Sequence, residues 1–267
     1  MTIGGTRAEM PRDSILARPR AGFWRRFGAL LCDAALVLIP LQVVVAVLFG
    51  VTNGQIQGSF GFKTTVCNSL DVLPEGLQPA PPEGFNSIED CRSSLLGLVT
   101  ERKLVVAKTT VEGHSKTSFF REYWLDADGR PIYGVFDVTW IAILALLAYM
   151  ACMEWKTGGT FGKRATGIRV VDRENPGSIG VPFGRALLRQ VATYGGLVPI
   201  LMLGVGTVVL VRDPAQLEAL MTSRSYLLLM IIAGVACAAW AIWIMVSLAR
   251  RHDPIYDRLA RTTVVVK

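Results

Sequence analysis

The stretch GFWRRFGALLCDAALVLI, residues 22–39, sets two arginines among aromatic side chains and then runs apolar apart from one carboxylate, Asp33. Arg26 and Asp33 are seven residues apart, so on a helix they share one face about 10 Å apart along the axis, beyond direct contact. Arg26 can snorkel to a membrane surface, whereas the short Asp33 side chain cannot. Everything else depends on whether this run crosses a bilayer.

Composition favours that it does. Just over half of the 267 residues are hydrophobic, charged residues are scarce, and the mean hydropathy is +0.41. The apolar residues gather in four blocks. Residues 27–49 contain only Asp33 as a charge, 134–153 contain only Asp137, and 191–211 and 226–248 contain none. Each block is long enough to span a hydrocarbon core of about 30 Å as a helix. Core helices of soluble proteins keep a polar stripe that these blocks lack. The first block is too long for a secretory h-region and carries an aspartate, so it reads as a retained helix.

Basic residues orient the chain. They crowd 1–26, 154–190 and the tail 249–267, whereas the connection 212–225 has only Arg212 and Arg224. The positive-inside bias then places both termini and the 154–190 loop in the cytoplasm. Segment 50–133 lies outside, its eight basic residues counting little in so long a loop. The expected fold is an all-α membrane bundle of four helices (27–49, 134–153, 191–211 and 226–248) with a small extracytoplasmic α/β or β-hairpin insert. The expected location is a bacterial cytoplasmic membrane. The formal charge of +7 suits contact with anionic lipid; no nucleic-acid motif accompanies it.

Within the insert, LPEGLQPAPPEGF (73–85) reads as loop and DADG (126–129) as a turn. KLVVAKTTV (103–111) and SFFREYWLD (118–126) read as strands of a hairpin, with EGHSK supplying the turn. Cys67 and Cys91 are the only two of five cysteines in this segment, and an oxidising compartment predicts a disulfide between them. Two cysteines and His114 do not make a zinc spacing, so no metal or other cofactor is expected.

GGTFGKRATGIRVVDRE (158–174) imitates a phosphate-binding loop but fails it. Gly158 and Gly162 are separated by three residues rather than four, and Arg164 follows Lys163 where Ser or Thr is needed. The two glycines 158 and 159 are expected to end the second helix, with 161–169 lying along the headgroups. A short strand and turn follow, and 181–190 forms an amphipathic approach to the third helix.

Three stretches together resemble the RDD family of membrane proteins, named for one arginine and two aspartates. In AGFWRRFGALLCDAALVLI (21–39), Arg26 and Asp33 occupy the arginine and first aspartate positions. The 158–174 stretch is similar to the family's loop after the second helix. In YDRLARTTVVV (256–266), Asp257 matches the second aspartate. The sequence departs at Arg261, where a glycine is more usual before the threonine, and the resemblance does not cover the insert. It implies a multi-spanning membrane protein, often suspected of transport, with no known substrate.

A mid-bilayer aspartate is unfavourable by roughly 2.5–3.5 kcal/mol. Asp33 must therefore face other helices, a wet cavity or a cation, or be protonated. A basic partner is expected from the cytoplasmic edge: Arg25 or Arg26 of a neighbouring copy, Lys163, Arg164, Arg189, or Arg258 and Arg261 of the tail. Two functions follow from different classes. One is a transporter or transport subunit for cations, protons or small solutes, needing a homo-oligomer to enclose a path. The other is a non-catalytic scaffold or accessory protein whose Arg/Asp residues are structural. An enzyme is not expected, because no nucleophile, metal or paired-carboxylate constellation stands out.

Overall fold

The computed structural model describes residues 15–267 except 82, 113–114, 212–215, 217–218 and 222. The basic residues Arg7, Arg12 and Arg212 and the centre of the EGHSK turn therefore lie outside the described residues. The chain divides into two units, residues 1–33 with 147–267, and residues 34–146.

Among the described residues, three helices are long and apolar enough to cross a membrane: α1 (Phe23–Val51), α2 (Thr139–Thr157) and α6 (Arg224–Ala249). A bent pair would make a fourth span. Its first arm is α4 (Phe183–Thr193), the amphipathic approach anticipated for 181–190, and its second continues into α5 (Val198–Leu210). The two arms meet at 48°, so the third block is not one straight helix over 191–211. Gly195 and Gly196 sit at the bend, where a Cβ on Gly196 would come within 2.7 Å of Trp240. Packing of α6 on this bare backbone needs glycine there, and Trp240 Nε1 also donates to Thr193 O (3.3 Å).

The second block also starts late. Residues 134–138 are not helical; Phe136–Asp137 (β6) pairs in parallel with Ile56–Gln57 (β1). Asp137 Oδ1 accepts from Thr139 N (2.8 Å), satisfying one of the orphan amides that open α2.

The insert in the second unit is richer than the hairpin expected from its sequence. Strands β2 (Thr64–Ser69), β3 (Ser87–Leu95), β4 (Leu98–Glu112) and β5 (Ser115–Trp124) form one antiparallel sheet in that order. Among the described residues it contains no helix. The β4–β5 hairpin matches the two strands read from sequence. β2 and β3 were not foreseen, because polar stretches such as TTVCNS show little hydrophobic alternation. Cys67 and Cys91 face each other in the β2–β3 register and are joined by a disulfide. Ile88, Leu104, Val106, Tyr123 and Leu125 form the insert's core. Arg102 and Asp90 make a buried pair (2.7 Å), with Arg102 holding Asp90 below the ordinary carboxylate range.

The first unit closes with a small sheet. β7 (Ile168–Asp172) pairs antiparallel with β8 (Thr262–Val266), and residues 19–21 add a further edge through Ala21 N–Val264 O (2.9 Å) and Val266 N–Pro19 O (3.0 Å). Ala21, Ala29, Ile168, Val170, Val181 and Val264 form the core beneath. Before β8 stand the short helix α7 (Ile255–Leu259) and then Arg261, whose φ is +52°. That left-handed conformation explains why a glycine suits this position.

Arg261→Gly and Arg261→Ala both remove the exposed Arg261–Glu174 pair, so their difference isolates the backbone. The glycine variant should be the more stable by about 1 kcal/mol. Chemical denaturation in one detergent checks this, and equal stabilities would rule out strain at the turn.

Candidate functional site

The charges singled out in the sequence, Arg26, Asp33 and Asp257 with their candidate basic partners, fall in the first unit. Two clusters result.

The first surrounds Asp33, which is 1 % exposed. Helix α2 and the loop after it bring it three neutral donors. Tyr149 Oη donates to Oδ1 (3.1 Å), Gly162 N to Oδ1 (2.8 Å) and Thr160 Oγ1 to Oδ2. Thr160 also caps the short helix α3 (Phe161–Ala165), accepting from Lys163 N (3.3 Å), while Tyr149 Oη accepts from Phe161 N (3.0 Å). Gly162 permits the approach: a Cβ there would stand 2.1 Å from Ala29 O of α1. The basic partner expected for Asp33 is thus replaced by two hydroxyls and an amide. Within the chain, none of the seven basic residues named for it forms an ion pair with Asp33. Three donors are enough, because a buried carboxylate needs its lone pairs filled more than it needs a countercharge.

The second cluster is ionic and centres on two carboxylates with no exposure, Glu154 and Asp257. Arg26 Nη1 contacts Asp257 Oδ2 (2.6 Å) and Tyr256 Oη (3.4 Å), with Nε on Ala21 O (3.1 Å). Arg189 Nε contacts Asp257 Oδ1 (2.6 Å), and its Nη1 contacts Glu154 Oε1 (2.5 Å). Lys163 Nζ and Gln190 Nε2 (2.8 Å) also donate to Glu154 Oε1. The chain Arg26–Asp257–Arg189–Glu154–Lys163 alternates in sign and joins α1, α7, α4, α2 and α3. The guanidinium of Arg189 lies 5.7 Å from the centre of the Tyr256 ring. Glu154 Oε2 and Arg26 Nη2 are buried without a partner among the described residues.

Lys163 was expected along the headgroups and instead turns inward. Its neighbour Arg164 is exposed, as is Arg25. In the tail, Arg258 Nε donates to Asp253 O (2.9 Å) and Arg261 pairs with Glu174 (2.5 Å). Asp253 anchors a third group, accepting Arg20 (2.8 Å), Arg173 and Thr263 Oγ1 (2.8 Å). Glu154 was missed in the sequence. Its one signal is that it is the first charge after an apolar block, a place equally suited to a solvated helix end.

Outside the spans, burial pushes the Asp257 carboxyl up, but Arg189 and Arg26 outweigh it and hold the group below 3.8. Burial lowers the Lys163 ammonium; Glu154 opposes the shift and Arg189 adds to it. A cavity of about 210 Å³ opens onto the ionic chain: Arg26, Asp33, Lys163 and Arg189 line it together with Phe27, Leu30, Ile244 and Leu248.

The family model for the RDD family matches residues 20–261, which takes in Arg26, Asp33, Asp257 and every group of the ionic chain. The chain belongs to the RDD family. This makes it a member of a membrane family, in keeping with its three to four apolar helices. No curated protein and no solved structure matches it. Arg26 and Asp257, which the sequence resemblance matches to the family's arginine and second aspartate, are direct partners, whereas Asp33 is held by neutral donors.

The sign of the Asp257 shift sets an acid limit. Its folded value lies below the unfolded 3.8, so the unfolded chain binds protons more readily. The resulting stabilisation is present above about pH 4 and is lost as pH falls through the folded value. In a detergent melting series from neutral to acid pH, wild type should decline more steeply below about pH 4 than Asp257→Asn.

Proposed function

We propose that this RDD protein is a non-catalytic membrane scaffold or accessory protein, whose Arg/Asp residues fasten one end of its helix bundle. The observation that carries this reading is that the RDD carboxylates are already occupied. Asp33 accepts from three donors within the protein, and Asp257 accepts from Arg26 and Arg189. A carrier's ion-binding carboxylate needs to exchange its partners, and these are locked to four separate elements. The charged groups that line the neighbouring cavity, Arg26, Asp33, Lys163 and Arg189, are engaged within the protein. The rest of its wall is mainly apolar, which suits helix packing more than a solvated cation.

In this reading both termini and the 154–190 loop lie in the cytoplasm of a bacterial cell, facing anionic lipid. The charge bias of those segments supports that orientation. The 50–133 insert is then extracytoplasmic, where its Cys67–Cys91 disulfide would persist. Partners would be lipid, other membrane proteins or further copies of the chain; nucleic acid and catalysis have no supporting constellation. The rival reading, transport of protons or cations, draws on one group, the buried and unpartnered Glu154 Oε2.

Flux of H⁺, Na⁺ and K⁺ into liposomes, measured for wild type and Asp33→Asn beside their stabilities, separates the two. The scaffold reading expects no flux from either protein and a loss of about 2–4 kcal/mol in the variant, whose amide cannot serve all three donors. Flux by wild type that vanishes in an equally stable variant would establish transport.

A further inference from the structure

Among the described residues of the second unit, the turn between β3 and β4 carries the most exposed large hydrophobic side chain. Leu96 is 94 % exposed and has φ +49°, and Gly97 follows at φ +90°. Such a two-residue turn favours Asn-Gly or Asp-Gly, because both central residues are left-handed. Here a leucine holds the position that an asparagine would hold with less strain, and it faces outward. The surrounding residues 93–100, SSLLGLVT, are uncharged, and Leu98 is half exposed. An apolar side chain kept at such a site points to an apolar medium around it.

The second unit itself shows where the turn lies along α1. Gln57 links Arg102 to the end of that helix, accepting from Arg102 N (2.8 Å) and donating to Gly54 O and Leu125 O (2.8 Å each). Thr100 Oγ1 instead accepts from Gln42 Nε2 (2.9 Å), and Gln42 Oε1 accepts from Phe60 N (3.0 Å). Gln42 precedes Val51, the last residue of α1, by nine residues, about 13 Å back along the axis. Passing from Arg102 to Thr100 therefore leads from the end of α1 towards its middle. The Leu96–Gly97 turn continues that way by up to about 13 Å more.

The start of α2 marks the bilayer edge in the same unit. Ser59 N donates to Thr139 Oγ1 (3.3 Å), and Val45, Phe60, Val138 and Ala142 share one cluster, so α2 begins at the level where Gln42 meets Thr100. The 19 residues of α2 extend about 28 Å, close to the thickness of the hydrocarbon core. Trp140, half exposed at its first turn, fits the headgroup boundary. The turn thus lies on the lipid side of that boundary.

We propose that the β3–β4 turn dips into the outer leaflet, with Leu96 and Leu98 among the upper acyl chains. The strands pair with one another up to the Leu95–Leu98 pair, which limits the polar backbone carried inward to the turn and the adjoining outer edge of β4, whose pairing with β5 begins at Lys103. Those turn amides hold the insertion near the glycerol esters. The insert then has a second attachment to the membrane beyond its covalent links to α1 and α2.

The test uses the full chain in vesicles of phosphatidylethanolamine and phosphatidylglycerol, with Cys32, Cys152 and Cys237 replaced by alanine and the disulfide kept. Single spin labels are placed through Leu96→Cys, Glu122→Cys on β5 as an aqueous control, and Ile143→Cys on α2 as a lipid control. The ratio of oxygen to nickel-chelate collisions at position 96 should exceed that at 122 by about fivefold, because the chelate stays in water. A ratio at 96 equal to that at 122, with a lipid-like value at 143, overturns the proposal alone. A water-like value at both 96 and 143 overturns the spanning assignment with it. Spin–spin broadening at 96 would show a second copy over the turn and also overturn it.

Discussion

The first unit depends on one carboxylate held between two guanidiniums. Asp257 has no exposure, and its oxygens are divided between Arg26 of α1 and Arg189 of α4, each at 2.6 Å. Taking any of these charges from water alone would be prohibitive, so each is kept only while its neighbours are in place. The chain continues through Glu154 to Lys163, making three cations and two anions in sequence. A nearby third anion, Asp33, brings the formal charges of this region to balance (three against three). Removing any member leaves a buried charge unmatched, and this couples helix ends that are 231 residues apart in sequence.

That coupling accounts for the architecture around it. The tail helix α7 carries Asp257, and its exit strand β8 pairs with β7 and with residues 19–21. The loop helix α3 presents Gly162 to Asp33 and Lys163 to Glu154 from adjacent positions. Chain start, central loop and chain end are thereby tied to one end of the bundle. In the proposed reading, Arg26, Asp33 and Asp257 of this chain are fasteners rather than a pathway.

The apolar blocks and the third block's amphipathic approach were legible because helical periodicity and length act locally. The disulfide was legible by compartment and count. The Arg26–Asp257 pair was not, since the seven-residue spacing to Asp33 drew attention along the helix and no local signal ties Arg26 to a residue near the chain end. Glu154 looked like an ordinary solvated boundary charge. Strand β2 hid in polar sequence because all of it stays exposed, and β3 because its buried face mixes polar Asp90 and Ser93 with Ile88 and Leu95. The departure at Arg261 became meaningful only once its φ was visible: the position needs a left-handed residue, and arginine adopts that conformation there.

The central claim is that Arg26 and Asp257 stabilise the fold as a unit, and a double-mutant cycle measures it most directly. Unfolding free energies of Arg26→Met, Asp257→Asn and the double variant would be compared in one detergent. Each single change should cost about 3–5 kcal/mol, and the double should cost at least about 2 kcal/mol less than their sum. Single losses that add to within about 0.5 kcal/mol would contradict the account.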